Sequence, residues 1–291
     1  MDLPFQTTTP MRDAASNTPP AFPMPAGACD THFHVFEKGY PAVGEPQYTF
    51  PDATVAQYLA VADVLGIDRM VLVQPTYYGE DDALLLDVLA RLGDRARGVA
   101  RVTDDVATAT LDHLDSAGVR AVRLDLFARR DWPLPQLLGY IRHMAGLVRP
   151  LGWHLQFYAP GSVVHTLLPQ LGDLPVPYVV DHLGYMKQTD GLGAAGTAGL
   201  LSALDDGNCW IKLSGAYRVA AGEPLSVVAP LGRALVETRP DRLVWGSDWP
   251  HLPDGQRDTG EILNLLADWA PDPRDRQRIL VDGPDALFFG H

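Results

Sequence analysis

Short apolar, β-branched runs alternate with longer stretches of helical period eight times along this chain, and few folds accommodate that pattern. The runs are Ala28–His34, Met70–Pro75, Gly98–Val102, Val119–Leu126, Trp153–Tyr158, Tyr178–His182, Cys209–Leu213 and Leu243–Asp248. Between and after them lie Val55–Leu65, Ala83–Leu92, Thr108–Ala117, Leu134–Val148, Val163–Leu171, Ala195–Leu204, Leu225–Thr238 and Thr259–Trp269, each long enough for one helix. A doubly wound open sheet usually has fewer strands and a glycine-rich phosphate loop after the first, and no such loop follows Ala28–His34. The pattern predicts a single (β/α)8 barrel, a TIM barrel, over residues 27–291. The total of 291 residues suits it, since such a barrel typically takes ~250. Before it, Pro4, Pro10, Pro19, Pro20, Pro23 and Pro25 stand among small polar residues, so residues 1–26 read as a flexible or extended arm.

Charge and cysteine content narrow the partners. A formal charge of -13 repels phosphates and argues against nucleic acid or an anionic membrane surface. An anionic small-molecule substrate would then require its own local arginines. Cys29 and Cys209 lie inside apolar runs, which reads as two reduced core thiols and fits a cytoplasmic protein. No apolar run approaches the roughly 18 residues of a membrane span, and no basic segment leads into an apolar one at the N-terminus, so a soluble resident protein is expected. Homo-oligomerisation is compatible with the sequence.

Chemistry gathers at the C-terminal ends of the strands, which in a barrel open on one face. The first run ends in Asp30-Thr31-His32-Phe33-His34, and strict alternation would put Asp30, His32 and His34 on one side. Asp30 is read as an acceptor that orients one of the imidazoles, with packing or capping as its plainer role. The sixth run ends in Asp181-His182 and the eighth in Gly246-Ser247-Asp248. Three neutral imidazoles and a carboxylate can bind one divalent metal such as zinc, or polarise a carbonyl while Asp248 activates water without a cofactor; the residues do not choose. Arg123 lies inside an apolar strand, where an unpaired charge is costly and is normally kept for a partner or ligand. Gln74, Thr76 and Tyr77 end the second run and either bond substrate or form a turn at Pro75-Thr76. Lys212 is open between an inward salt bridge and solvent, while His113, His143 and His165 are read as surface residues.

Asp-Thr-His-Phe-His at 30–34, Asp-His-Leu-Gly at 181–184 and Val-Trp-Gly-Ser-Asp-Trp-Pro-His at 244–251 together resemble the amidohydrolase-related superfamily, and within it the 2-pyrone-4,6-dicarboxylate lactonases and their sugar-lactone relatives. The resemblance implies that Asp248 deprotonates the hydrolytic water and that His32, His34 and His182 surround the scissile carbonyl. It further implies substrate carboxylates held by Arg123, Arg129 and Arg218, with Tyr158 beside them. The binuclear members need a bridging lysine after strand four and a histidine after strand five, where this chain reads Arg123-Leu124-Asp125 and Gln156-Phe157-Tyr158. A binuclear centre is therefore disfavoured. His154 lies about four residues too early on strand five to reach the mouth at ~3.3 Å per residue.

One position departs from the lactonase pattern. Three residues after His182, where an arginine is expected, stands Tyr185, counted here among the substrate-binding positions. A charge-assisted contact worth roughly 1.5–3 kcal/mol is absent there, which points to a different or less charged lactone. Three other readings stay open: a zinc-dependent decarboxylase of the same superfamily, a sugar-acid lactone isomerase, and a barrel that binds a small anion without turning it over.

Overall fold

The computed structural model describes residues 10–43, 52–187, 193–253 and 255–290. Eight parallel strands follow one another around a single sheet: β1 (Cys29–Phe33), β2 (Arg69–Val73), β3 (Ala96–Ala100), β4 (Val119–Asp125), β5 (His154–Tyr158), β6 (Tyr178–Val180), β7 (Cys209–Leu213) and β8 (Leu243–Trp245). The helices outside them are α1 (Val55–Leu65), α2 (Ala83–Leu92), α3 (Thr108–Ser116), α4 (Leu134–Val148), α5 (Gly161–Leu167), α6 (Gly193–Asp205), α7 (Ala216–Ala220), α8 (Ala229–Thr238), α9 (Thr259–Trp269) and α10 (Pro273–Gln277). This is the expected (β/α)8 barrel. Closure between β8 and β1 comes late, from Thr31 Oγ donating to Trp245 O (2.7 Å), Asp248 N to His32 O (2.8 Å) and His34 N to Trp249 O (2.8 Å). The backbones of His32, His34 and Asp248, three of the candidate site residues, themselves take part in this closure.

Boundaries shifted where proline or a tight turn dictates. The stretch expected as one helix over Leu225–Thr238 is a short 3-10 turn, Leu225–Val228, followed by α8, whose Pro230 sits in the first turn where no amide proton is needed. Helix α7, directly after β7, was not expected from periodicity; five residues are too few to show a helical period.

Alternation along the strands sorts the barrel interior into layers. The inner side chains nearest the N-terminal rim are apolar: Cys29, Val71, Val99, Ala121, Val179, Trp210 and Val244 pack with Leu287 and Phe288 of the chain's last turns, which plug this end. Two residues further along the same strands, about 6.6 Å at ~3.3 Å each, the inner side chains become Arg123, Gln156, Asp181 and Lys212. All four are buried.

The arm's described residues lie against the barrel. Asp258, the N-cap of α9, accepts from the Thr18 amide and hydroxyl and pairs with Arg12 at 3.1 Å, while the Ala21 amide donates to Asn264. Residues 1–9 fall outside the described residues. Among the described residues, no helix is long and apolar enough to cross a membrane.

Candidate active site

The three histidines and Asp248 converge. Nε2 of His32 and Nε2 of His34 are 3.2 Å apart, and Asp248 Oδ1 lies 3.8, 3.7 and 3.8 Å from Nε2 of His32, His34 and His182. All four residues are buried, with His34 the most exposed at 6%. Two of them owe their direction to unusual backbone: His182 (φ 51°) and Asp248 (φ 61°) sit in the left-handed region, which L residues avoid by ~1–2 kcal/mol. The turns after β6 and β8 thereby aim both side chains at the barrel axis. Two glycines give them room. A Cβ on Gly215 would stand 2.7 Å from His182 Nδ1, and one on Gly246 would stand 2.5 Å from His32 Cβ.

Each site group is held from behind. The Nδ1–H of His34 donates to Val73 O (2.7 Å), and His182 Nδ1 lies 2.8 Å from Ser214 Oγ. Asp248 Oδ2 accepts from Tyr217 Oη (2.5 Å) and Arg218 Nε (2.6 Å), both on α7. Its Oδ1 has no hydrogen-bond partner among the described residues. Burial pushes the Asp248 carboxyl up, but the adjacent Arg218 guanidinium, foremost among the charges around it, outweighs this and holds it well below the usual carboxylate range. Burial lowers all three imidazoles: His32 well below its ordinary value with help from Lys212, His34 to about 3 with help from Arg123, and His182 to about 4. At neutral pH the site is therefore three neutral rings around one carboxylate.

The family model described as "Amidohydrolase" matches residues 29–290. This chain belongs to the amidohydrolase family. A relative from Comamonas testosteroni named 2-pyrone-4,6-dicarboxylate hydrolase is 36% identical over 289 residues, covering 94% of each chain. A 4-sulfomuconolactone hydrolase from Hydrogenophaga intermedia is 33% identical over 277 residues, 93% of this chain and 91% of its own. A crystal structure from Acinetobacter baumannii with citric acid bound superposes with a TM-score of 0.79 at 28% identity, covering 91% of this chain and 100% of that one.

In this amidohydrolase the remaining expected site residues divide. Arg123 donates through Nε to Asp181 Oδ2 (3.1 Å) and lies over the Tyr158 ring, 4.2 Å to its centroid. Tyr185 is 6% exposed and packs edge-on against His182 and Phe127. Arg218, expected on substrate, donates through Nε to Asp248, with its side chain 25% exposed. Arg129 is not joined to the histidines: it donates to Asp125 O and stacks on Tyr140 and Trp132. Thr76 is an exposed residue of a 3-10 turn. His154 stands at the opposite end of the barrel, against Phe288.

Asp30 corrects the simple alternation. The register slips between Asp30 and Phe33, so Asp30 turns outward with Phe33, and both meet Tyr58 of α1. Its carboxylate accepts from the amides of His32 (3.0 Å) and Ser247 (2.9 Å), not from an imidazole. It ties β1 to the segment after β8, and burial raises it to about 6.

Sequence reasoning missed a second tier of groups beneath the histidines. Asp181 Oδ2 accepts from Arg123 Nε and Gln156 Nε2 (each 3.1 Å), so the places where binuclear members carry a lysine and a histidine here hold donors to one buried carboxylate. Lys212, left undecided by the sequence, points inward with no exposed surface, 3.6 Å from Asp181 Oδ1. The signal for it was parity: Lys212 shares its strand face with Trp210, which packs in the apolar inner layer.

Spacing alone would suit one tetrahedral zinc, whose ~2.0–2.1 Å bonds put ligands about 3.3 Å apart. A ligating histidine donates its other ring N–H to an acceptor, as His34 does toward Val73 O, whereas the other nitrogen of His32 lies between the Lys212 ammonium at 3.3 Å and Asp181 Oδ1 at 3.4 Å. The set His32, His34 and Asp248 therefore fits a metal only with the His32 proton on Nδ1, toward Asp181, and not with it on Nε2.

Proposed function

We propose that this amidohydrolase opens a lactone of a small carboxylic acid by adding water, with Asp248 as general base and His32, His34 and His182 around the scissile carbonyl. The observation that carries this reading is Asp248 Oδ1, buried without a hydrogen-bond partner among the described residues and faced by three neutral imidazole nitrogens at 3.7–3.8 Å. Water gives a proton to Oδ1 as its oxygen bonds the carbonyl carbon; the developing oxyanion is stabilised by imidazole N–H; the ring C–O bond then breaks and the ring oxygen takes the proton back from Asp248, leaving an open-chain acid and the carboxylate restored.

A carboxylate held this low remains ionised but is an intrinsically weak base. Its effectiveness therefore rests on placement, with Oδ2 clamped by Tyr217 and Arg218 so that Oδ1 is fixed. Arg123, beneath the histidines, and the exposed part of Arg218 supply local positive charge in an acidic protein, which suits an anionic lactone. The names of the relatives, a pyrone dicarboxylate hydrolase and a sulfomuconolactone hydrolase, support the same class. Tyr185 adds an aromatic wall in place of a further cation, favouring a substrate less charged than a dicarboxylate.

Asp248→Asn should lower kcat by at least a thousandfold on an active lactone, with KM within a few-fold of wild type. Undiminished turnover by the folded variant would remove Asp248 from the mechanism. Mass analysis of the product, heavier than substrate by one water, separates hydrolysis from isomerisation.

A further inference from the structure

A lysine without exposed surface stands directly behind the imidazole of His32. Its ammonium has three N–H groups, and four acceptors surround it: Thr31 O at 2.9 Å, Gln156 Oε1 at 2.9 Å, His32 Nδ1 at 3.3 Å and, as an ion pair, Asp181 Oδ1 at 3.6 Å. The Gln156 amide is oriented independently, because its Nε2 donates to Asp181. The third N–H lies nearer His32 Nδ1 than Asp181 Oδ1, and Nδ1 accepts only when it carries no proton.

A neutral imidazole has one ring N–H, so the proton of His32 belongs on Nε2, 3.2 Å from His34 Nε2. His34 is complementary. Its own proton is on Nδ1, spent on Val73 O, and its bare Nε2 accepts. Val73 fixes this arrangement at one end of the chain of bonds, and the shorter of the two contacts open to the third Lys212 N–H agrees with it at the other. The alternative acceptor for His32 Nδ1 is Asp181 Oδ1 at 3.4 Å, an oxygen that the Lys212 ammonium faces at 3.6 Å.

We propose that Lys212 is a positioning residue that fixes His32 as the Nε2–H tautomer, which makes His32 a hydrogen-bond donor to the substrate carbonyl and keeps its Nε2 lone pair from a metal. Asp181 Oδ1 is the acceptor to which the ring turns its proton when the Lys212 ammonium is absent, freeing Nε2 as a ligand. The donor's target rests on the lactonase reading above; the tautomer and its effect on metal do not.

The test uses the full chain with 15N-labelled histidine, the His32 signals being assigned by their loss in His32→Gln. Wild type should show His32 protonated at Nε2, and Lys212→Met should move the proton to Nδ1. Cobalt(II), read by its visible absorption bands, and zinc, read by metal content after dialysis, should bind Lys212→Met at least tenfold more tightly than wild type, while Lys212→Arg stays near wild type. A wild-type His32 protonated at Nδ1, or equal metal affinity in wild type and Lys212→Met, would overturn the proposal. Should Lys212→Met not fold, the wild-type spectrum decides alone. Unimpaired turnover in Asp248→Asn would end the hydrolysis reading without altering either tautomer or metal result.

Discussion

The two ends of the barrel interior are built from the same strands on the same inward face, yet they do opposite work. Toward the N-terminal rim, Val71, Val99, Ala121, Val179 and Val244 close around Phe288 in an apolar plug. Two residues further along, Arg123, Gln156, Asp181 and Lys212 bury charge on charge beneath the histidines. The lower layer draws stability from removing apolar area from water. In the upper layer, each desolvated charge costs energy that only a well-placed partner offsets. Stability is therefore sought at one end and orientation at the other.

That division can be broken by mutation. Phe288→Ala, in the lower layer, should cost about 3–5 kcal/mol, read as a lower urea midpoint, and leave kcat of the folded fraction unchanged. A loss of kcat without a loss of stability would show that the plug also shapes the site.

Acid sharpens the contrast, because the titrating rings sit directly on the upper layer. His182 is lowered by burial from 6.5 to about 4 in the folded chain. Between those values the unfolded chain binds a proton that the folded chain does not, so this residue's effect is to weaken folding as pH falls from about 6.5 to about 4. Asp30, raised to about 6, acts in the opposite sense, which makes comparison with a variant necessary. The wild type should lose roughly 2–3 kcal/mol more than His182→Gln over that window, measured by denaturant melts at each pH. Parallel pH profiles would place the His182 imidazole in a more solvated setting than its 1% exposure indicates.

Smallest in stability, but diagnostic, is Gly246→Ala. Its Cβ would press on His32 Cβ and lie 3.0 Å from the His32 amide nitrogen, so the strand must yield. An overpacking cost of about 1–3 kcal/mol is expected, together with a kcat lower by roughly tenfold to a hundredfold as His32 moves. Full activity would mean that the position of His32 is less constrained than the close contact implies.

Much of this arrangement was legible before any coordinates. The helices Val55–Leu65, Ala83–Leu92, Leu134–Val148 and Thr259–Trp269 fall where the 3.6-residue period put them. His32, His34, His182 and Asp248 were found because each ends an apolar run. Tyr217 escaped notice, since α7 is too short for a periodic signature, and Arg218 was named for a substrate carboxylate whereas its Nε holds Asp248. Asp30 was put on the wrong face because a bulge interrupts the alternation that the reading assumed.

The sequence by itself determined the eight βα units and the rim at which their polar ends emerge, because strand and helix periods are local properties of covalent geometry. Only the tertiary structure decided what each buried polar head meets: Lys212 behind His32, Asp181 between Arg123 and Gln156, and Arg218 on Asp248. Such pairings join residues 25 to 180 positions apart, and the shift in a buried group's proton affinity depends on distances that no local pattern encodes.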